Sequence, residues 1–521
     1  MEDAIDLILT ASRNENNEVN RALARAIVLE LGQFPLALAQ AAGYILIHGC
    51  LNRYLSIYRV NKRELLDSFE AQQPQDYQVP VATTIRVSLK QLLPAAQQLL
   101  QLFAHLDSTS ISQGIISKAA NTRFENVMDI EKSQLQPETL EQATALMKVF
   151  CPSGNWSEYE FNNLVTQCLQ YSLLRVTTQG DSQFYSMHIL VQGHLRASLD
   201  PMNGHKPGQL IVRLLGSAIM FDATNKFIAY HRILLPHLRL IRVEDIVEAG
   251  DHCAFGQVLN YTGDHRPAVM HLERCVEMWR ASLGDEHLNT LSAMVNLAFC
   301  YDNIGDHQRA VEMKKKVLGV YKRVQGPEHK NTLITAGNLA ASYRNLGRHK
   351  EAAELYKQVL DAWKRSLGPE DELTLRTMAN LALCYNNLGQ DQEALELQEQ
   401  VLEFWKRSLD PESPDTLWIM SCLAQSYLLV ARSQEALELN RQTLKGQTRV
   451  LGPEHPNTLA TIRIQLRILR VLGMVDQILD LLQAALSVHE KALGPNHPMT
   501  MRLKKDFSVE LMLLQGQQTT C

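Results

Sequence analysis

Aromatic side chains make up only 6% of this 521-residue chain, against 45% apolar residues overall, so its core must be built from aliphatic and small side chains. That balance favours packed helices over aromatic-rich sheets. Paired cysteines are missing as well. Nine are scattered at 50, 151, 168, 253, 275, 300, 384, 422 and 521 with no CxxC, which excludes a zinc ribbon or a secreted disulfide framework and fits a reducing, cytoplasmic setting. No long hydrophobic run occurs: Phe34 to Leu51 is broken by Gln40, His48 and two glycines, too polar for a membrane span. The start, MEDAIDLILTASRNEN, is acidic where a secretion signal needs basic residues.

Charge of one sign is absent too. The formal net charge of -5 is small and no block of like charge stands out, so neither nucleic acid nor an anionic membrane is an expected partner. Seventeen histidines include no HExxH and no pair at four-residue spacing, GxSxG is missing, and the chain reads as non-enzymatic with no metal site. A Gly-Lys dipeptide occurs nowhere, so the phosphate-cradling GxxxxGK[ST] loop is lacking and no cofactor is expected. The length allows two to four domains at roughly 150 residues each.

What is present is a period. Gly284, Gly326, Gly368, Asp410, Gly452 and Gly494 recur every 42 residues, as do Thr290, Thr332, Thr374, Thr416, Thr458 and Thr500. Leu297, Leu339, Leu381 and Leu423 keep the same step, as do Tyr301, Tyr343, Tyr385 and Tyr427, with Gly305, Gly347, Gly389 and Ala310, Ala352, Ala394, Ala436 beside them. Gly263 and Ala268 mark one earlier unit. Within a unit, Leu333, Leu339, Ala340 and Tyr343 follow three- and four-residue steps, and Gly347 ends that helix. Ala352 through Trp363 form a second apolar series, with Lys364 and Arg365 at its negative end and Gly368-Pro369 after it. Such a helical hairpin cannot bury its apolar faces alone, and stacking on neighbours completes the core.

The period alone permits HEAT-type or tetratricopeptide-type pairs. The pattern NLA..Y.NLG....A.E at 338–354 and 380–396 resembles the tetratricopeptide consensus, and the GPEH...T connectors at 326–332 and 452–458 are similar to those of kinesin light chains. This resemblance covers about 248–505. It implies a right-handed superhelix whose concave groove, lined by first helices, holds extended peptides. Asn296, Asn338 and Asn380 form one amide column on the first helices and Asn303, Asn345 and Asn387 a second, both off the core face. The amides can donate to and accept from a peptide backbone. For the second column the alternative is bonding to neighbouring helices or capping the Gly turns. Tyr301, Tyr343, Trp279, Trp363 and Trp405 belong to the core, and His329 and His455 to helix caps or loops. Cys422, Ala431 and Ile478 break the consensus, which marks the last repeats as capping units.

In the first half, LGQFPLALAQAAGYI at 31–45 resembles the GLPLA segment of NB-ARC and related STAND ATPases, and 81–107 resembles the opening helices of their winged-helix part. Leu173–Thr177 and Phe184–Met187 are β-prone runs around QGDSQ, a small hairpin or wing. YSMHILVQ matches the MHD segment of that family at Met187 and His188 but carries Ile189 in place of Asp. The resemblance would give His188 a contact with nucleotide phosphates if a site were completed elsewhere; otherwise His188 is a packed histidine. Only about 30 residues precede the GLPLA-like segment, which points to a truncated product or to a member without its motor. Residues 83–200 hold eight Lys/Arg against ten Asp/Glu, so this winged helix has no basic face for DNA.

The expectation is therefore a predominantly all-α chain: an NB-ARC-like helical remnant at 1–75, a winged-helix-like domain with one small β-hairpin at 76–200, a helical connector at 201–247, tetratricopeptide repeats at 248–505, and a cap and tail at 506–521. Its function is a non-catalytic scaffold for protein or peptide ligands, with self-association left open. The alternative is an ADP/ATP-switched receptor whose P-loop half lies outside this chain. A motor-cargo adaptor would show a heptad coiled coil beside the repeats, and none is seen.

Overall fold

Several helices begin where the sequence supplies a cap or a proline. The structure, a computed structural model, describes residues 1–67, 78–128, 135–197, 204–220, 225–408, 412–453, 455–493 and scattered positions up to 508. Asp410, Gly494 and, apart from Ser508, the expected tail lie outside the described residues. The chain is mostly helical, in two units that divide between Cys300 and Tyr301.

The first unit opens with α1 (Glu2–Ala11), α2 (Glu18–Glu30), α3 (Pro35–His48), α4 (Tyr54–Asp67) and α5 (Gln78–Leu89). Asn17 caps α2 by accepting from the Asn20 amide, and Pro35 starts α3 where its missing N–H is no loss. Next come α6 (Pro94–Ala104), β1 (Ile111–Ser112), α7 (Gln113–Asn121), α8 (Pro137–Phe150), α9 (Glu158–Gln170), β2 (Arg175–Gln179), β3 (Ser182–Ser186) and α10 (Ile189–Ala197). The strands form one antiparallel sheet of order β1-β3-β2, in which Tyr185 pairs with both Ile111 and Val176. The expected hairpin is present, but its limits shift. Gln179 pairs with Ser182, so the turn is only Gly180-Asp181, with Gly180 at φ 57°. Tyr185 turns its buried ring onto Phe103 and Phe161, which ties the sheet to α6 and α9.

The GLPLA-like helix α3 lies against the end of α9. A Cβ at Gly43 would meet the Gln170 carbonyl oxygen at 2.7 Å, so only glycine permits that approach. His48 Nε2 and the Tyr171 hydroxyl, 2.9 Å apart, bond across the same contact.

The unit continues through α11 (Pro207–Ala218), α12 (Asn225–Leu238), a 3-10 turn at Val243–Asp245, α13 (Ala249–Tyr261) and α14 (His265–Leu283). Here α11 crosses a row of buried carboxylates, Asp245, Glu248 and Asp251. Arg213 forks onto Asp251 at 3.1 and 3.3 Å, and Thr139 Oγ1 donates to Glu248 at 2.7 Å, so the row is satisfied rather than stranded. Burial holds the Asp251 carboxyl up at about 6 despite the guanidinium beside it.

Helix α15 (Leu288–Asn303) runs into the second unit, which holds α16 (His307–Val324), α17 (Lys330–Asn345), α18 (His349–Ser366), α19 (Glu372–Asn387), α20 (Asp391–Ser408), α21 (Pro414–Leu429), α22 (Ser433–Val450), α23 (Pro456–Val471) and α24 (Val475–Leu493). Within it each helix packs on the next from α16 to α24. His329, Asp371, Ser413 and His455, 42 residues apart, cap α17, α19, α21 and α23 through their side chains, as expected for the two histidines. Leu339, Leu381, Leu423, Trp363 and Trp405 lie in one buried cluster, and a second gathers Leu459, Leu466, Leu469, Ile478 and Leu482. Tyr301, Tyr343 and Trp279 are buried too, as their spacing requires.

Candidate functional site

The first helices α17 and α19 present their off-core faces side by side, with the inner face of α18 behind them. A cleft of about 170 Å³ lies between the three, walled by Leu333, Ile334, Tyr356, Val359, Trp363 and Leu373. Asn338 and Asn380 both line it, as does the exposed guanidinium of Arg376. Two members of the first amide column are thus brought together at one concavity.

Their amides are not equivalent. Asn380 Nδ2 donates to the Arg376 carbonyl at 3.0 Å, and its Oδ1 accepts from Arg344 Nη1 at 3.1 Å. Among the described residues the Asn338 and Asn296 side chains make no hydrogen bond and remain open for a ligand backbone. All three are half-buried. Asn303, Asn345 and Asn387 are exposed, outside the cleft, at the last turns of their helices. Asn387 Nδ2 donates to the Leu383 carbonyl of its own helix at 2.8 Å, not to a neighbouring helix.

Sequence reasoning missed what opens the cleft. Val295 and Phe299 in one repeat, and Ala379 and Leu383 in another, stand in the columns where this repeat has Gly337 and Ala341. Both smaller residues line the cleft, and a Cβ at Gly337 would meet nothing within 4 Å. The signal was readable as a local drop in side-chain size within two periodic columns.

Behind the groove, between helices, sits a charged cluster of a different kind. Lys314, 1% exposed, donates from Nζ to Asp302 Oδ2 at 2.6 Å, Ser342 Oγ at 2.7 Å and the Asn338 carbonyl at 3.2 Å. Burial lowers the pKa of its ammonium, and Asp302 works against that shift. Saturated by internal partners, it holds α16 to α17 rather than reaching for a ligand.

His188 does not pack. It is exposed at the start of α10, where its Nδ1 accepts from the Leu190 amide at 3.2 Å. Residues at the first turn of a helix cap free amides, and that position overrides the expectation of a core histidine. Among the described residues no group of three or more His, Cys, Asp or Glu could hold a metal, and no helix is long and apolar enough to cross a membrane.

Comparison with known families defines the class. Residues 251–323, 314–365, 331–407 and 373–449 match the tetratricopeptide repeat, and residues 467–498 match a second tetratricopeptide repeat description. This part of the chain is a tetratricopeptide repeat array with kinesin light chain-like neighbours. Among solved structures, the chain is similar to a putative kinesin light chain with nearly identical TPR-like repeats from Podosopora anserina, at 32% identity over 39% of this chain and 95% of that one, TM-score 0.35. It is also similar to BtubC (BKLC) from P. vanneervenii, at 19% identity over 45% of this chain and 95% of that one, TM-score 0.34. A Rap protein complexed with competence and sporulation factor shares 11% identity over 58% of this chain and 87% of that one, TM-score 0.37. No curated protein matches the chain.

Proposed function

We propose that this protein is a non-catalytic interaction scaffold that binds an extended segment of a partner in the groove of its first helices. The observation that carries the reading is the cleft opened by Gly337 and Ala341 and edged by Asn338 and Asn380. It offers an apolar hole for one side chain and, at Asn338, an open amide for the backbone beside it, the combination by which extended peptides gain both specificity and affinity. The exposed Asn303, Asn345 and Asn387 serve at most as a rim.

The domain reading stays with this proposal. The order α6, β1, α7, α8, α9, β2, β3, α10 supports a winged-helix-like domain at 76–200, preceded by an NB-ARC-like helical remnant at 1–75 and followed by a connector at 201–247 that leads into the repeats. A nucleotide-switched receptor would need a phosphate-binding loop that this sequence does not contain, and no step of the scaffold reading depends on one.

The test is to select displayed random peptides on the full chain, then titrate the winners against wild type, Gly337→Leu, and Asn338→Ala plus Asn380→Ala. Binding near micromolar, about -8 kcal/mol, is expected for wild type. Filling the hole should weaken it about tenfold or more, with helicity unchanged by circular dichroism. Peptides that bind all three proteins alike would refute the groove.

A further inference from the structure

The repeat changes character at α22 and α23. The column Leu297, Leu339, Leu381, Leu423 is continued by Gln465, and Trp279, Tyr321, Trp363, Trp405 by Gln447. Beside these departures a cleft of about 470 Å³ opens, lined by Arg441, Leu444, Lys445, Thr448, Arg449 and Gln465. Gln465 is only 8% exposed, and its Oε1 has no hydrogen-bond partner. A buried amide oxygen without a partner in a core column costs stability and calls for a donor.

The rim beside it is basic. Arg441, Lys445 and Arg449 stand at i, i+4 and i+8 along one face of α22. Arg449 pairs with Glu412 and Arg441 donates to the Gln477 amide oxygen at 2.7 Å, while Lys445 has no ion pair among the described residues. The charge at Lys445 is also reversed within its column, where Asp361 and Glu403 precede it. Two cations therefore face the cleft with no carboxylate of their own.

We propose that this cleft is a second binding site that takes an extended acidic peptide by its carboxylates. Alternate side chains of an extended strand stand about 6.6 Å apart on one face. Cations four residues apart on a helix stand about 6 Å apart along its axis. A run of carboxylates at every second residue meets the three cations in register, displacing Glu412 from Arg449, while a backbone N–H of the same strand donates to the open Gln465 Oε1. A single phosphate could reach only one or two of them. The site is built from a second helix and one core position, so it stands or falls independently of the first-helix groove.

The probe is a fluorescein-labelled peptide with glutamates at three alternate positions, separated by serines, titrated by anisotropy against the full chain. A peptide with glutamine in place of glutamate, and inorganic phosphate as competitor, serve as comparators. Saturable binding that weakens about tenfold between low and moderate salt is expected. Lys445→Glu, which places the side chain of Glu403 at the same point of the repeat, should weaken it about tenfold. Gln465→Leu should weaken it about threefold without lowering the melting temperature. Gly337→Leu should leave it unchanged, which separates this site from the groove. Equal binding of the glutamine peptide, indifference to Lys445→Glu with the helical melt intact, or displacement by phosphate at peptide-like concentrations would each overturn the proposal.

Discussion

Thr332 Oγ1 donates to the carbonyl oxygen of Gly326 at 2.8 Å, and the same bond joins Thr290 to Gly284, Thr374 to Gly368 and Thr458 to Gly452 at the same length. The two strictest columns of the period are therefore two ends of one hydrogen bond. The glycine adopts φ of 91° to 96° at each of these turns, a region open to few other residues, and the fully buried threonine locks the carbonyl it exposes. Thr374→Val keeps the shape but strands that carbonyl, and it should cost about 1–3 kcal/mol in a denaturant titration. Gly368→Ala should cost about 1–3 kcal/mol through strain alone.

Ala431 occupies a glycine position. Gly305, Gly347, Gly389 and Gly473 stand in the same column at φ 86°, 76°, 75° and 68°, and Ala431 is held at φ 62°. A left-handed alanine is strained by about 1–2 kcal/mol, and a glycine there gives back part of that gain as chain entropy. Ala431→Gly should therefore stabilise the protein by about 0.5–1 kcal/mol, read as a raised melting temperature; a lowered one would mean the strain is not there.

Lys314, Asp302 and Ser342 recur two repeats later as Gln398, Asn386 and Ser426, where Ser426 Oγ donates to Gln398 Oε1 at 2.6 Å and accepts from Asn386 Nδ2 at 2.8 Å. One interface is thus charged and the other neutral on the same frame. Lys314→Gln alone leaves the Asp302 carboxylate without its cation and should cost about 3 kcal/mol. Adding Asp302→Asn rebuilds the neutral set, and the double variant should recover most of that loss. A double-mutant cycle in urea measures the coupling, and additive losses would show that the two residues do not act together.

Columns that do one physical job in every repeat were legible: glycine for a positive φ, threonine for its carbonyl, tyrosine and tryptophan for the core. What varied from repeat to repeat was not. Gly337 and Ala341 read as ordinary helix fillers until their neighbours in the column are set beside them, so the asparagine column was legible and the cleft beside Asn338 and Asn380 was not. Strand β1 escaped notice because Ile111 and Ser112 are too short for alternation to show. The pairing of Lys314 with Ser342 crosses 28 residues and that of His252 with His271 crosses 19, and neither spacing belongs to any helix period.

That histidine pair is part of a set of buried histidines on which the pH behaviour of the first unit turns. His252 and His271 face each other with their Nδ1 atoms 3.2 Å apart, and burial lowers them to about 3 and about 4. His231 and His237 are lowered by burial to about 4 as well. His237 is held neutral by its contacts: its Nδ1 accepts from the Asp107 amide at 3.0 Å while its Nε2 donates to the Ser110 carbonyl at 3.2 Å. Because the folded values lie below the unfolded value of about 6.5, the unfolded chain binds the extra protons, and stability is complete above pH 6.5 and lost as pH falls towards 4. At pH 5 each such group costs on the order of 2 kcal/mol. Asp251 runs the other way. Its raised value means the folded state protonates first, which offsets about 1 kcal/mol of that loss. Thermal melts between pH 7.5 and 4.5 should therefore fall steeply below 6.5, with hydrogen exchange opening first at 205–283. His271→Gln should flatten the slope by about 1.4 kcal/mol per pH unit, and a melting temperature constant across that range would refute the assignment.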